Sequence, residues 1–198
     1  MIKFGLLTAI LDGWSFEEAV DTAAEMGFKC LEVACWPAGN GAERRYAGVC
    51  HIDAERVLAD DEYAKYVKDY VSGKGMEISS LAFYPNTMDA DLEKRAAAIE
   101  HLKALIRASS KLGVGMVTTF IGRDQHKTVE ENIELFKEIW PGLIKLAEDC
   151  NVKVAIENCP MLFGADQWPG GQNLMCTPVI YRRLFELIPS ANFGLNFD

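Results

Sequence analysis

Val152-Lys153-Val154-Ala155-Ile156-Glu157-Asn158-Cys159-Pro160 is the stretch whose reading decides the fold. Four of its first five residues are apolar, and Val152, Val154 and Ile156 are β-branched. That composition predicts a short strand buried on both faces. A carboxylate, Glu157, follows at the strand's carboxyl end, and Pro160 forbids further ladder pairing. In α/β proteins, chemistry collects at the carboxyl ends of buried parallel strands. The last stretch, Asn192-Phe193-Gly194-Leu195-Asn196-Phe197-Asp198, repeats the pattern and ends on a second carboxylate. The remainder reads as a scaffold that brings Glu157 and Asp198 side by side.

Working outward, the same unit recurs. Strand one is expected over Lys3 to Thr8. Ser15 with Glu18 forms a capping box for a helix that stops at Gly27. Strand two spans Cys30 to Cys35. A long, Gly-rich connection, Trp36 to Glu55, follows and is too long to be idle in a compact domain. A helix is expected from Asp60 to Gly73, strand three from Glu77 to Phe83, and an amphipathic helix from Leu92 to Lys111. Strand four spans Gly115 to Phe120. Thr128 and Glu131 make a second capping box, for a helix carrying Pro141, which should kink it. Asn151 is the expected left-handed cap before strand five. A long loop runs from Asn158 to Cys176, then Thr177-Pro178 opens another helix. The Gly113-Val114-Gly115 run is a helix stop, not a phosphate loop.

Strict strand–helix alternation implies right-handed crossovers and a parallel sheet. Strands begin near residues 3, 30, 77, 115, 153 and 193. At this spacing an eight-unit barrel needs about 300 residues. The pattern therefore fits either a six-stranded open sheet or the front part of a (β/α)8 barrel. A flavodoxin-like doubly wound domain would want a Gly-rich turn after strand one. Leu7-Thr8-Ala9-Ile10-Leu11-Asp12-Gly13-Trp14 is not one.

The chain has 198 residues, 49% of them hydrophobic and 25% charged, which suits one soluble domain with a real core. A net charge of −9 argues against nucleic acid or an anionic membrane as partner. No run approaches the ~20 apolar residues of a membrane span. The N-terminus reads as a strand rather than a signal peptide. Six cysteines without a CxxC are expected to be reduced thiols of a cytoplasmic protein.

Three segments resemble the sugar phosphate isomerase/epimerase family, the xylose-isomerase-like TIM (β/α)8 barrels that also include endonuclease-IV-like enzymes. They are Ala155-Ile156-Glu157-Asn158-Cys159-Pro160-Met161 with Trp168-Pro169-Gly170-Gly171, Asn192 to Asp198, and Ser79-Ser80-Leu81-Ala82-Phe83-Tyr84-Pro85-Asn86. The resemblance implies that residues 1–198 are a single domain comprising the first six β/α units of an incomplete barrel, without strands seven and eight. It implies a divalent metal (Mn2+, Mg2+, Co2+ or Zn2+) held by Glu157 and Asp198, with a His and a Glu from the two further strands. It implies a sugar or sugar phosphate isomerase or epimerase, moving a proton next to a carbonyl through a metal-stabilised enediolate. A keto-sugar glycoside lyase of the same family and a non-catalytic sugar-binding barrel are the alternatives. Repair of DNA fits less well, given the acidic charge and the scarcity of His.

Such chemistry suits the residues. A carboxylate next to the reacting carbon moves the proton, and Glu157 is the candidate both for this and for metal ligation. Trp14, Trp36, Tyr84, Phe120 and Trp168 sit at or after strand ends, where aromatic rings can cover the apolar face of a sugar. Each is otherwise rim packing. His126, in Arg123-Asp124-Gln125-His126-Lys127, and Asn158 are further substrate-binding candidates. His51 is weaker, and His101 reads as a helix-surface residue. The 198-residue chain alone is expected to be inactive. Its open strand edges are expected to pair with another copy or with further strands.

Overall fold

The computed structural model describes residues 2–38, 48–162 and 171–197. Strands and helices alternate: β1 (Gly5–Leu7), α1 (Phe16–Glu25), β2 (Cys30–Ala34), α2 (Ala54–Ala59), α3 (Asp61–Gly73), β3 (Glu77–Ala82), α4 (Leu92–Leu112), β4 (Met116–Thr119), α5 (Val129–Asp149), β5 (Lys153–Glu157), α6 (Pro178–Leu187) and β6 (Phe193–Asn196). The strands form one sheet in the order β1-β2-β3-β4-β5-β6. The β1–β2, β2–β3 and β5–β6 pairs are parallel. This is the strand order of a barrel built unit by unit; a flavodoxin-like sheet would reverse its order part-way.

Local signals set the boundaries. Ser15 accepts from the Glu18 N–H while the Glu18 carboxylate accepts from the Ser15 N–H, and Thr128 and Glu131 do the same for α5. The left-handed caps are also observed, at Gly27 (φ 87) and Asn151 (φ 54). Two features were not expected. Helix α2 begins inside the long second connection, where the Asp53 carboxylate accepts from the N–H groups of Glu55 and Arg56. The β2–β3 register shifts between Leu31 and Glu32.

By internal contacts the chain divides into two compact units, Met1–Phe83 with Ala104–Val117, and Tyr84–Lys103 with Thr118–Asp198. In the first, the apolar faces of α1 and α3 supply Val20, Ala23, Val67 and Val71, all buried like Leu31, Val33 and Leu81 of the strands. In the second, Phe136 and Trp140 of α5 stack with Phe193 of β6 at centroid distances of 6.1 to 6.2 Å. Phe136 and Trp140 are fully buried. Truncating either to Ala should cost about 3–5 kcal/mol. Among the described residues no helix is long and apolar enough to cross a membrane.

Candidate functional site

Strand β5 carries its apolar residues Val154, Ala155 and Ile156 buried and leaves Glu157 half-buried at its carboxyl end. It runs beside β6 in the register Val154↔Phe193, Ala155↔Gly194, Ile156↔Leu195 and Glu157↔Asn196. Registered partners share a face of the sheet, so Asn196 is the neighbour of Glu157 across the pair. Asp198 and Trp168 lie outside the described residues.

The chain leaving β5 is fixed by a side chain the sequence reading missed. Asn173 is fully buried, and its Nδ2 donates to the carbonyls of Glu157 (2.9 Å) and Cys159 (2.8 Å). Its Oδ1 accepts from the Met175 N–H. One carboxamide thus replaces ladder partners that Pro160 has interrupted. The Gln172 N–H donates to the Pro160 carbonyl at 3.1 Å. Next to it Gly171 has φ +58, and a Cβ there would stand 1.8 Å from the same carbonyl oxygen. Only glycine permits that approach.

A second asparagine fixes the loops after β3 and β4. Asn86 presents its Oδ1 to the Arg123 N–H (2.8 Å) and its Nδ2 to the Arg123 carbonyl (2.8 Å), as a neighbouring strand would. Gly122, at φ +85, passes so close that a Cβ would lie 2.2 Å from Asn86 Oδ1. Thr87 donates to the Ile121 carbonyl. Within this frame Tyr84 and Phe120 meet with ring centroids 4.8 Å apart. The Tyr84 hydroxyl accepts from Asn196 Nδ2 at 3.3 Å. Tyr84 and Phe120, which follow β3 and β4, therefore form a connected set with Asn196 and Glu157 at the ends of β6 and β5.

The other candidates are placed differently. Asn158 is half-buried directly after Glu157. His126 is exposed; its backbone N–H donates to Asp124, which the buried Asn132 holds in turn. In the first unit, Trp36 packs edge-on against Phe83 at 5.9 Å. Trp14 is 43% exposed and lines a shallow depression with Glu17, Glu18 and Asp21.

Buried polar groups also occur in the first unit. Thr8 Oγ1 accepts from the Ala34 N–H and lies 2.9 Å from His51 Nδ1. Burial pushes the His51 pKa below the ordinary imidazole value. The carbonyls of Trp14 and Leu11 and the charge of Asp12 act the other way, although Nε2 makes no hydrogen bond of good geometry.

Glu157 offers the oxygen chemistry that hard divalent cations prefer. Among the described residues no three His, Cys, Asp or Glu side chains gather closely enough to hold a metal.

A sequence profile of the xylose isomerase-like TIM barrels matches residues 20–198. The chain belongs to this family. Solved structures of the same barrel superpose along the whole chain. A probable 3-DHS dehydratase, AsbF, from Bacillus anthracis aligns at TM-score 0.70 and 19% identity, covering 100% of this chain and 63% of that one. D-psicose 3-epimerase from Clostridium cellulolyticum H10 aligns at 0.69 and 18%, again covering 100% and 63%. The IolI protein with a bound zinc atom aligns at 0.68 and 16%, covering 98% and 62%. The chain thus spans less than two thirds of the length of these xylose isomerase-like barrels. No curated protein matches it by sequence.

Proposed function

We propose that this chain belongs to a divalent-metal-dependent isomerase or epimerase acting on a sugar or sugar phosphate. The observation that carries the reading is Glu157: a half-buried carboxylate at the end of β5, registered against Asn196, which bonds Tyr84. Family membership and barrel neighbours that include a sugar 3-epimerase and a zinc-bound protein support it.

The residues divide the work. Glu157 takes the proton from the carbon next to the substrate carbonyl; in isomerisation it returns it to the adjacent carbon, and in epimerisation a second acid on the opposite face of the enediolate protonates the same carbon. Tyr84 and Phe120 cover the apolar face of the sugar, and Asn158 and Asn196 offer amides to its hydroxyls. Asn173 keeps the Glu157 main chain from moving during turnover. Glu157 and Asp198 would be ligands of the metal, which supplies Lewis-acid stabilisation of the developing oxyanion. The substrate is a small sugar, and the compartment is cytoplasmic, in keeping with six cysteines and no CxxC.

The likeness to a probable dehydratase favours a second reading, a lyase of the keto-sugar type. Elimination also begins by removing a proton beside a carbonyl. The test uses protein made from the complete reading frame, stripped with EDTA and reloaded with Mn2+, Mg2+, Co2+ or Zn2+. Ketohexoses, their phosphates and a keto-sugar glycoside are the substrates, resolved by chromatography. Metal-restored epimerisation or isomerisation supports the first reading and release of the aglycone the second. Sugar binding that ignores EDTA, with no turnover, would leave a non-catalytic barrel.

A further inference from the structure

We propose that Cys35 and Cys50 form an oxidation site, a cross-strand disulfide made by exchange with a small-molecule disulfide. The backbone carries the argument. Immediately after β2, Cys35 pairs with Cys50 in an isolated antiparallel bridge. The Trp36 N–H donates to the Val49 carbonyl (3.1 Å) and the His51 N–H to the Ala34 carbonyl (2.9 Å). Both bonds flank the pair and neither belongs to it, so Cys35 and Cys50 occupy a non-hydrogen-bonded position of the antiparallel ladder. At such positions the two Cα atoms lie about 4.5 Å apart and the side chains stand close on the same face. That separation falls inside the range of disulfides, about 4.4–6.8 Å. No other two of the six cysteines are registered across a strand pair among the described residues.

Both residues are thiols in the structure, and the Cys35 thiol, fully buried, donates to the Val33 carbonyl at 3.3 Å. Cys50 is partly exposed, so it meets the oxidant first. Its thiolate attacks one sulfur of the small disulfide; a mixed disulfide forms and one small thiol leaves. The deprotonated Cys35 sulfur then attacks the Cys50 sulfur, and the second small thiol leaves. Two protein thiols have become one disulfide, one small disulfide has become two thiols, and the two cysteine protons have passed to them.

The electrostatics set the rate. Burial, then the Asp53 charge, pushes the Cys50 thiol up to about 11, and burial with the neighbouring Cys50 pushes Cys35 well above its usual value. Exchange is therefore slow at neutral pH and gains about tenfold per pH unit below the Cys50 pKa. The resulting bond closes the connection that begins at Trp36, tying that aromatic to the end of β2.

The test incubates the purified chain with oxidised glutathione at pH 9, followed by alkylation and tryptic mapping. Arg44 and Arg45 lie between the two cysteines, so a disulfide appears as two linked peptides, Cys30–Arg44 and Tyr46–Arg56. Fragmentation must place the link on Cys35 and not Cys30. Closing a loop of about 15 residues should raise the melting temperature by roughly 6–12 °C, reversed by reductant. Cys50→Ser and Cys35→Ala should each lose both the link and the shift. Full alkylation of Cys35 and Cys50 after a day with oxidant would overturn the proposal. So would a mixed disulfide that stays on Cys50, or a link to Cys30. Formation rates that do not rise between pH 7 and 9 would refute the order of attack.

Discussion

The side-chain amide of Asn196 donates to the phenol oxygen of Tyr84 at 3.3 Å, and Asn196 is the residue registered against Glu157 on β5. A single amide thus joins the aromatic platform of Tyr84 and Phe120 to the strand pair that carries the candidate carboxylate. Replacing Tyr84 by Phe keeps the ring contact and removes the acceptor. One such bond contributes about 1 kcal/mol. We expect kcat/KM to fall about fivefold while the melting temperature changes little. A Tyr84→Phe enzyme with unchanged kinetics would show that the Asn196–Tyr84 hydrogen bond plays no part in turnover.

Glu157→Gln conserves size and removes the charge. In protein from the complete reading frame, turnover should be lost by a factor of 10² or more, the scale of one general base. Calorimetric titration should also show weaker binding of Mn2+. The fold should survive, because Glu157 is only half-buried and follows the apolar run of β5. Retained activity would refute its assignment as the base.

Asn173→Ala tests the frame of the site. It leaves the carbonyls of Glu157 and Cys159 and the Met175 N–H without this partner. Unmet buried polar groups cost about 1–3 kcal/mol each, so with three groups affected a destabilisation of about 3 kcal/mol or more is expected in urea melts. A loss under 1 kcal/mol would mean that the loop after β5 is held by other contacts.

His51 sets an acid dependence in the first unit. Its folded-state pKa is lowered, first by burial, so the folded protein resists taking a proton that the unfolded chain accepts. The stability it contributes is present above the unfolded value of about 6.5 and is lost as pH falls below it. Between pH 7.5 and 5 the melting temperature of the parent should fall more steeply than that of His51→Gln. Parallel slopes would show that His51 titrates normally.

Much of the frame was legible because its signals are local. Capping boxes at Ser15 and Thr128, the left-handed stops at Gly27 and Asn151, and apolar runs ending at Pro85 or Pro160 need only a few neighbouring residues. Helix α2 was missed because six residues contain too few turns for a periodic signal, and only its Asp53 cap announces it. The framing asparagines were missed for another reason. Asn86 acts on Arg123, 37 residues away, and Asn173 on Glu157, 16 residues away. Nothing in a single sequence marks which polar residue will stand in for a strand. The candidate site was half legible: Glu157, Tyr84 and Phe120 were chosen from position, but the link through Asn196 required coordinates.

The strand order of the sheet matches the order of the chain, from β1 to β6. During synthesis each strand therefore leaves the ribosome after the neighbour it will join. For β2 to β6, the partner is at most one helical connection behind. Such a sheet can lengthen strand by strand from the amino terminus, at the pace of translation. The growing edge is then covered as each strand is added, which lowers the hazard that slow parallel sheets face while they fold.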